Sequence, residues 1–84
     1  MKYYLNCDDE NKYREILSTL NYYGFNIKSN AKYIHSADNI FIADTSTLDV
    51  EFSHSIRELK ISKKDFTSIK DFEDAYLSEL STVY

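Results

Sequence analysis

The sequence predicts an α+β fold of two layers: an antiparallel sheet of four to five strands with two helices on one face, in the order β-α-β-β-β-(β)-α. Three observations carry this reading. Apolar residues recur at helical spacing in only two windows, one near each end of the chain. Between these windows they alternate with polar residues, which is the period of a strand. Proline is absent and glycine occurs once, so Asn, Asp and Ser must supply the turns. Strands bracketed by helices segregate the helices to one face of an antiparallel sheet and leave the other face to water or a partner.

The elements follow in order. Lys2 to Cys7 (KYYLNC) reads as a short aromatic strand, in which Tyr3 and Tyr4 point to opposite faces. Asp8 or Asp9 offers an N-cap, with Asp9 and Glu10 well placed for the helix dipole. Tyr13, Ile16, Leu17, Leu20 and Tyr23 then fall on one helix face, with Asp8–Lys12 and Glu10–Arg14 as acid-before-base pairs on its surface. Gly24 stands where a left-handed C-cap must stop that helix. Phe25 to His35 is expected to be extended, with Phe25, Ile27, Ala31 and Tyr33 sharing one parity. Ser36 to Asn39 makes a turn, Asn39 to Asp44 a strand, and Thr45 to Thr47 a second turn. Leu48 to Ser53 alternates strictly, with Leu48, Val50 and Phe52 inward and Asp49, Glu51 and Ser53 outward. Ser55 to Ser62 reads either as a strand through Leu59 and Ile61 or as a helical turn capped by Ser55 and Glu58; the alternation favours the strand. Ser68 and Asp71 open the last helix, whose apolar face is Ile69, Phe72, Tyr76, Leu80 and Val83, and Phe66 is placed to pack back on it.

Eighty-four residues are enough for a single domain, residues 1–84, with one two-layer core. A hydrophobic share of 43% with 29% charged residues belongs to a folded chain rather than a disordered one. Eight Tyr and five Phe are more rings than so small a core holds, so some tyrosines reach the surface, where they suit interfaces. One cysteine, Cys7, excludes an intrachain disulfide and fits a reducing, cytoplasmic setting. The apolar run in MKYYLNC is too short for a signal peptide, and no stretch reaches the ~20 apolar residues of a membrane span.

Chemistry finds little to use. Nucleophilic catalysis needs a base in reach and an oxyanion site, and Ser53-His54-Ser55 stands in no such context. Phosphate-cradling loops need several glycines. Cys7, His35 and His54 follow no metal-ligand spacing, and Asp8, Asp9 and Glu10 oppose a thiolate at Cys7. The expectation is therefore no catalytic residue, no metal and no cofactor. A net charge of −4 argues against direct nucleic-acid binding, which needs a basic patch; Arg57, Lys60, Lys63 and Lys64 form the one candidate.

The distinctive stretch is residues 36–55, SADNIFIADTSTLDVEFSHS, which holds Asp38, Asp44, Asp49 and Glu51 and no Lys or Arg. Clustered like charges cost stability, and so invite a functional reading: an acidic face for a basic partner, with Tyr22 and Tyr33 as aromatic anchors. In size and general character the chain resembles the small acidic phage-encoded inhibitors, such as anti-CRISPR proteins and other nucleic-acid mimics. That likeness implies a non-catalytic inhibitor that blocks the basic, nucleic-acid-binding groove of a host defence protein. Two other readings stand beside it. One is an adaptor, antitoxin or immunity-type protein that binds one cognate partner; the other is an RNA-binding module that uses Tyr stacking and the basic segment 57–64. A homodimer is compatible with a thin sheet that has one open face.

Overall fold

The computed structural model describes residues 1–28 and 31–81. Strand β1 (Lys2–Asn6) leads into helix α1 (Glu10–Tyr22), and a two-residue strand β2 (Asn26–Ile27) follows. Next come the hairpin β3 (Ile40–Asp44) and β4 (Asp49–Ser53), a single helical turn α2 (Ile56–Leu59), a 3-10 turn (Lys63–Asp65) and helix α3 (Ile69–Ser81). The four strands make one sheet in the order β1-β3-β4-β2, and the fold is α+β as expected.

Local chemistry sets the ends of α1. Asp9 caps it by accepting from the Lys12 amide at 2.8 Å, and Glu10 pairs with Arg14 one turn on at 2.8 Å. Lys12 pairs forward with Glu15 at 3.6 Å rather than back with Asp8. At the other end Gly24 takes a φ of +80. The Phe25 amide reaches back to the Leu20 carbonyl at 3.0 Å and the Gly24 amide to Asn21 at 3.1 Å, which together close a Schellman motif.

The sheet departs from the expected all-antiparallel arrangement at one pair. β1–β3 and β3–β4 run antiparallel, while β2 runs parallel to β4. The cause is connectivity. A helical crossover returns the chain in its starting direction, so β2 parallels β1, and the β3–β4 hairpin inserts between them. The extended segment expected over Phe25–His35 contributes only Asn26 and Ile27 to the sheet. Beyond it the chain follows side chains instead of β4: the Tyr13 hydroxyl bonds the Ala31 carbonyl, and the Tyr33 ring packs on Tyr13. Ser29, Asn30, Thr82, Val83 and Tyr84 lie outside the described residues.

Strand alternation gives the sheet two faces. Tyr3 and Leu5, Phe41 and Ala43, and Val50 and Phe52 stand in register on the inner face, against Ile16 and Leu20 of α1 and Phe72 and Tyr76 of α3. Both long helices therefore lie on one face. Phe72 is fully buried, edge-on to Tyr3 at 5.4 Å and tilted on Phe25 at 5.7 Å; a side chain of this size contributes about 1.5–3 kcal/mol by leaving water. Two tyrosine hydroxyls fasten α3: Tyr23 donates to Glu73 at 2.9 Å and Tyr3 to Glu79 at 3.3 Å.

The outer face is not left open along its whole length, because residues 55–62 do not form a strand. Ser55 starts the α2 turn with no side-chain cap of its own, and Asp38 supplies the cap instead, its Oδ2 accepting from the Ile56 amide at 2.7 Å. Lys60 ends the turn in the left-handed region, φ 55. Ser62 and Asp65 then cap the 3-10 turn reciprocally, and the Thr67 amide reaches the Tyr4 carbonyl on the free edge of β1 at 2.8 Å. Residues 54–66 thus cross from β4 to β1 as a strap. Their side of the sheet is fixed by Ser53, an outward residue whose Oγ exchanges hydrogen bonds with the Ser55 backbone at 3.1 and 3.2 Å. Ile40, on the same face, is fully buried yet stands apart from the main core, as a residue under such a cover must.

Candidate partner-binding face

The uncovered end of the outer face is the hairpin end. Here the register aligns Lys2, Asp44 and Asp49 in one cross-strand row and Tyr4, Ile42 and Glu51 in the next. Directly opposed residues of an antiparallel pair have Cβ atoms ~4.5–5.5 Å apart, and alternate residues along a strand are ~7 Å apart. Asp44, Asp49 and Glu51 are therefore mutual neighbours, and with Lys2, Ile42 and Thr47 they line a shallow concavity of about 220 Å³.

Each carboxylate is differently engaged. Asp44 accepts from the Ser46 amide at 2.9 Å, inside the turn, and lies 3.9 Å from the Met1 amino nitrogen. Asp49 accepts from the Asn26 side chain at 3.4 Å. Both Asp49 and Glu51 are exposed. The hairpin loop is shaped by Leu48, which takes a φ of 62 and donates its amide to the Asp44 carbonyl at 2.8 Å. It also hands its own carbonyl to Asn26 at 2.7 Å, so the loop is tied to β2.

The other residues singled out by sequence lie elsewhere. Asp38 sits at the strap end of the face. Its carboxylate caps Ile56, its carbonyl accepts from the Asn6 side chain at 2.6 Å, and its amide bonds the His54 carbonyl at 3.1 Å. Tyr22 is 83% exposed on α1, edge-on to Tyr23, and Tyr33 packs on Tyr13 of the same helix. Both belong to the helix side, with the sheet between them and the carboxylates. The aromatic that neighbours the carboxylates is Tyr4. Since Tyr3 goes inward to Phe72, Tyr4 is the ring of that pair which leaves the core.

Sequence reasoning missed Lys2, Tyr4 and Ile42 as members of this face. The parity of β1 places Lys2, Tyr4 and Asn6 together, but only the pairing register brings them beside Asp44 and Glu51. The basic-free stretch is therefore not a basic-free surface, because β1 carries a lysine into it.

Groups with chemistry elsewhere are occupied. Cys7 is 2% exposed in the core, and its thiol is pushed up to about 12, by burial first and then by Asp8 and Asp9. The His54 ring holds the Lys32 carbonyl at 2.6 Å and stands edge-on to Phe52. Among the described residues no group of three or more His, Cys, Asp or Glu is placed to hold a metal, and no helix is long and apolar enough to cross a membrane. No protein-family model, curated protein or solved structure matches the chain.

Proposed function

We propose that the protein is a non-catalytic, cytoplasmic inhibitor that docks the acidic hairpin end of its sheet onto a basic, nucleic-acid-binding surface of another protein, in the manner of a phage-encoded nucleic-acid mimic. The observation that carries this reading is the gathering of Asp44, Asp49 and Glu51 around one concavity, with Tyr4 beside it. Separate arginines or lysines reach such a patch side by side, and the β3–β4 pairing fixes the backbone positions that carry the carboxylates before the partner arrives, which lowers the cost of ordering them.

The test is a tagged capture from host lysate with the wild-type chain and with Asp44→Asn/Asp49→Asn/Glu51→Gln. Asp38 stays untouched, because it caps α2. A basic nucleic-acid-handling protein that is held at low salt, released at about 0.5 M salt and lost with the triple variant supports the reading. A partner kept by the triple variant refutes it.

One observation favours the adaptor or immunity-type reading instead. Leu77 and Leu80 of α3 are 48% and 46% exposed on the helix side, where an apolar contact would fall. Under that reading Leu77→Ser and Leu80→Ser abolish capture while the carboxylate changes leave it intact.

A further inference from the structure

The outer face carries two patches of opposite sign at its two ends. At the hairpin end stand Asp44, Asp49 and Glu51 with Lys2. At the strap end stand Arg57, Lys60, Lys63 and Lys64 with Glu58 and Asp65, and all six are exposed. Counting the Met1 amino group 3.9 Å from Asp44, the first patch sums to −1; counting Asp38, which caps the strap, the second sums to +1, on a chain whose net charge is −4. The strap lies on the carboxylate side because the Ser55 backbone bonds the Ser53 side chain and the Ile56 amide bonds Asp38, which in turn holds Asn6 of the same face.

From Asp49 to Ser53 the strand advances ~13 Å. This exceeds the ~8 Å Debye length of physiological salt, so neither patch neutralises the other within one molecule. The backbone that carries Lys63 and Lys64 is fixed by the capping box of the 3-10 turn. Ser62 Oγ accepts from the Lys64 amide at 3.3 Å, and Asp65 closes the box by accepting from the Ser62 amide at 2.8 Å.

We infer that this bipolar face is self-complementary and pairs with a second copy of the chain about a two-fold axis that lies in the interface, parallel to the sheet and perpendicular to its strands, the acidic hairpin end of each protomer on the basic strap of its partner. An isologous contact demands that the same surface present both halves of the interaction, and a face with opposite patches at its two ends meets that demand without a third component. The contact is polar and salt-labile, as charged surface pairs are. It hides the carboxylates, so any basic partner must compete with the second copy for them. The inference stands apart from the proposed function, since it needs no other protein, and its test needs none either.

The test is sedimentation equilibrium of the whole chain at about 0.02 M and about 0.5 M salt. The wild type is expected to associate to a dimer at the lower salt and to be monomeric at the higher. Asp49→Lys/Glu51→Lys has two basic ends and should stay monomeric; Lys63→Glu/Lys64→Glu has two acidic ends and should do the same. An equimolar mixture of the two variants should recover the dimer, because each then offers what the other lacks. A wild type that stays monomeric at low salt overturns the proposal. So does a dimer that survives in either variant alone, or a mixture that fails to associate. Far-UV circular dichroism confirms that both variants fold. If either does not, Glu51→Gln and Lys64→Gln replace them, and each must weaken low-salt association at least several-fold or the proposal fails.

Discussion

Asp44 and Asp49 face each other directly across the β3–β4 pair, and this predicts a substitution that stabilises the fold. At a separation of ~5 Å, Coulomb's law gives about 0.8 kcal/mol of repulsion in water. Screening at physiological ionic strength, with a Debye length near 8 Å, reduces this to about 0.4 kcal/mol. Asp49→Asn removes the charge and keeps the Oδ1 that accepts from Asn26. The attraction it forfeits is small, because Lys2 lies one strand further away, opposite Asp44. For a domain of this size about 0.4 kcal/mol corresponds to a rise of about 2–3 °C in Tm. The assay is thermal unfolding followed by circular dichroism at about 0.15 M and about 1 M salt, where the Debye length falls to ~3 Å and the gain should shrink below about 1 °C. A variant that is no more stable than the wild type, or whose gain ignores salt, would refute the claim that these carboxylates oppose one another. The outcome also bears on function, since a charge that costs the fold free energy is kept for something other than folding.

Three further predictions concern groups in the core or packed against it. Asn39 is buried with a φ of 49 and makes three side-chain hydrogen bonds to the backbone of Ile34 and Ala37. Asn39→Ala should therefore cost about 3 kcal/mol in urea unfolding, and Asn39→Gly about 1 kcal/mol less, because glycine tolerates the left-handed backbone; equal losses would show that the backbone is not strained there. With the Cys7 thiol at about 12, about one molecule in ten thousand carries the thiolate at pH 8. Iodoacetamide should then label the native protein no faster than it unfolds, and rapid labelling would refute the burial. The Tyr23 hydroxyl is raised from 10.0 chiefly by its hydrogen bond to Glu73, and the Tyr3 hydroxyl from 10.0 chiefly by burial, with Glu79 next. The folded state thus favours both neutral phenols, so their stabilisation is complete below pH 10 and is lost as pH climbs through the raised values. Urea midpoints should fall above pH 10, and the fall should be shallower in Tyr3→Phe/Tyr23→Phe; an unchanged slope would refute the assignment.

Much of the fold was legible wherever a local signal had one meaning. A cap at Asp8 or Asp9, the apolar face from Tyr13 to Tyr23 and Gly24 are all read within a few residues, and α1 begins after Asp9 and ends before Gly24. The alternation in DVEFS is equally local, and β4 follows it. Errors arose where a remote group decided the matter. The Ser55–Glu58 pair signals a helical turn that the alternation of Leu59 and Ile61 contradicts. The tie is broken by Asp38, eighteen positions from the Ile56 amide it caps. Asp38 itself has the look of one more surface carboxylate until that bond is known. The escape of residues 31–35 from the sheet depends likewise on Tyr13, a residue of another element, while the parallel β2–β4 pair follows from the helical crossover that precedes β2.

The strap also explains why the candidate site lies where it does. Had residues 55–62 formed a fifth strand, the outer face would have been a uniform open sheet and its four carboxylates a diffuse stripe. As a strap, the segment buries Ile40, takes Asp38 into its own capping, and concentrates its cations at one end. What remains accessible is the hairpin end, with the three remaining carboxylates and Tyr4: Asp49 and Glu51 are exposed, Asp44 and Tyr4 half-buried, and Ile42 in their midst is buried. Two of those carboxylates, Asp49 and Glu51, alternate with the core residues Val50 and Phe52, so the pleat that builds the core also aims the charges outward. A one-residue slip of β4 would bury Asp49 and Glu51 and expose Val50 and Phe52. The position of the acidic face is therefore enforced by the core itself.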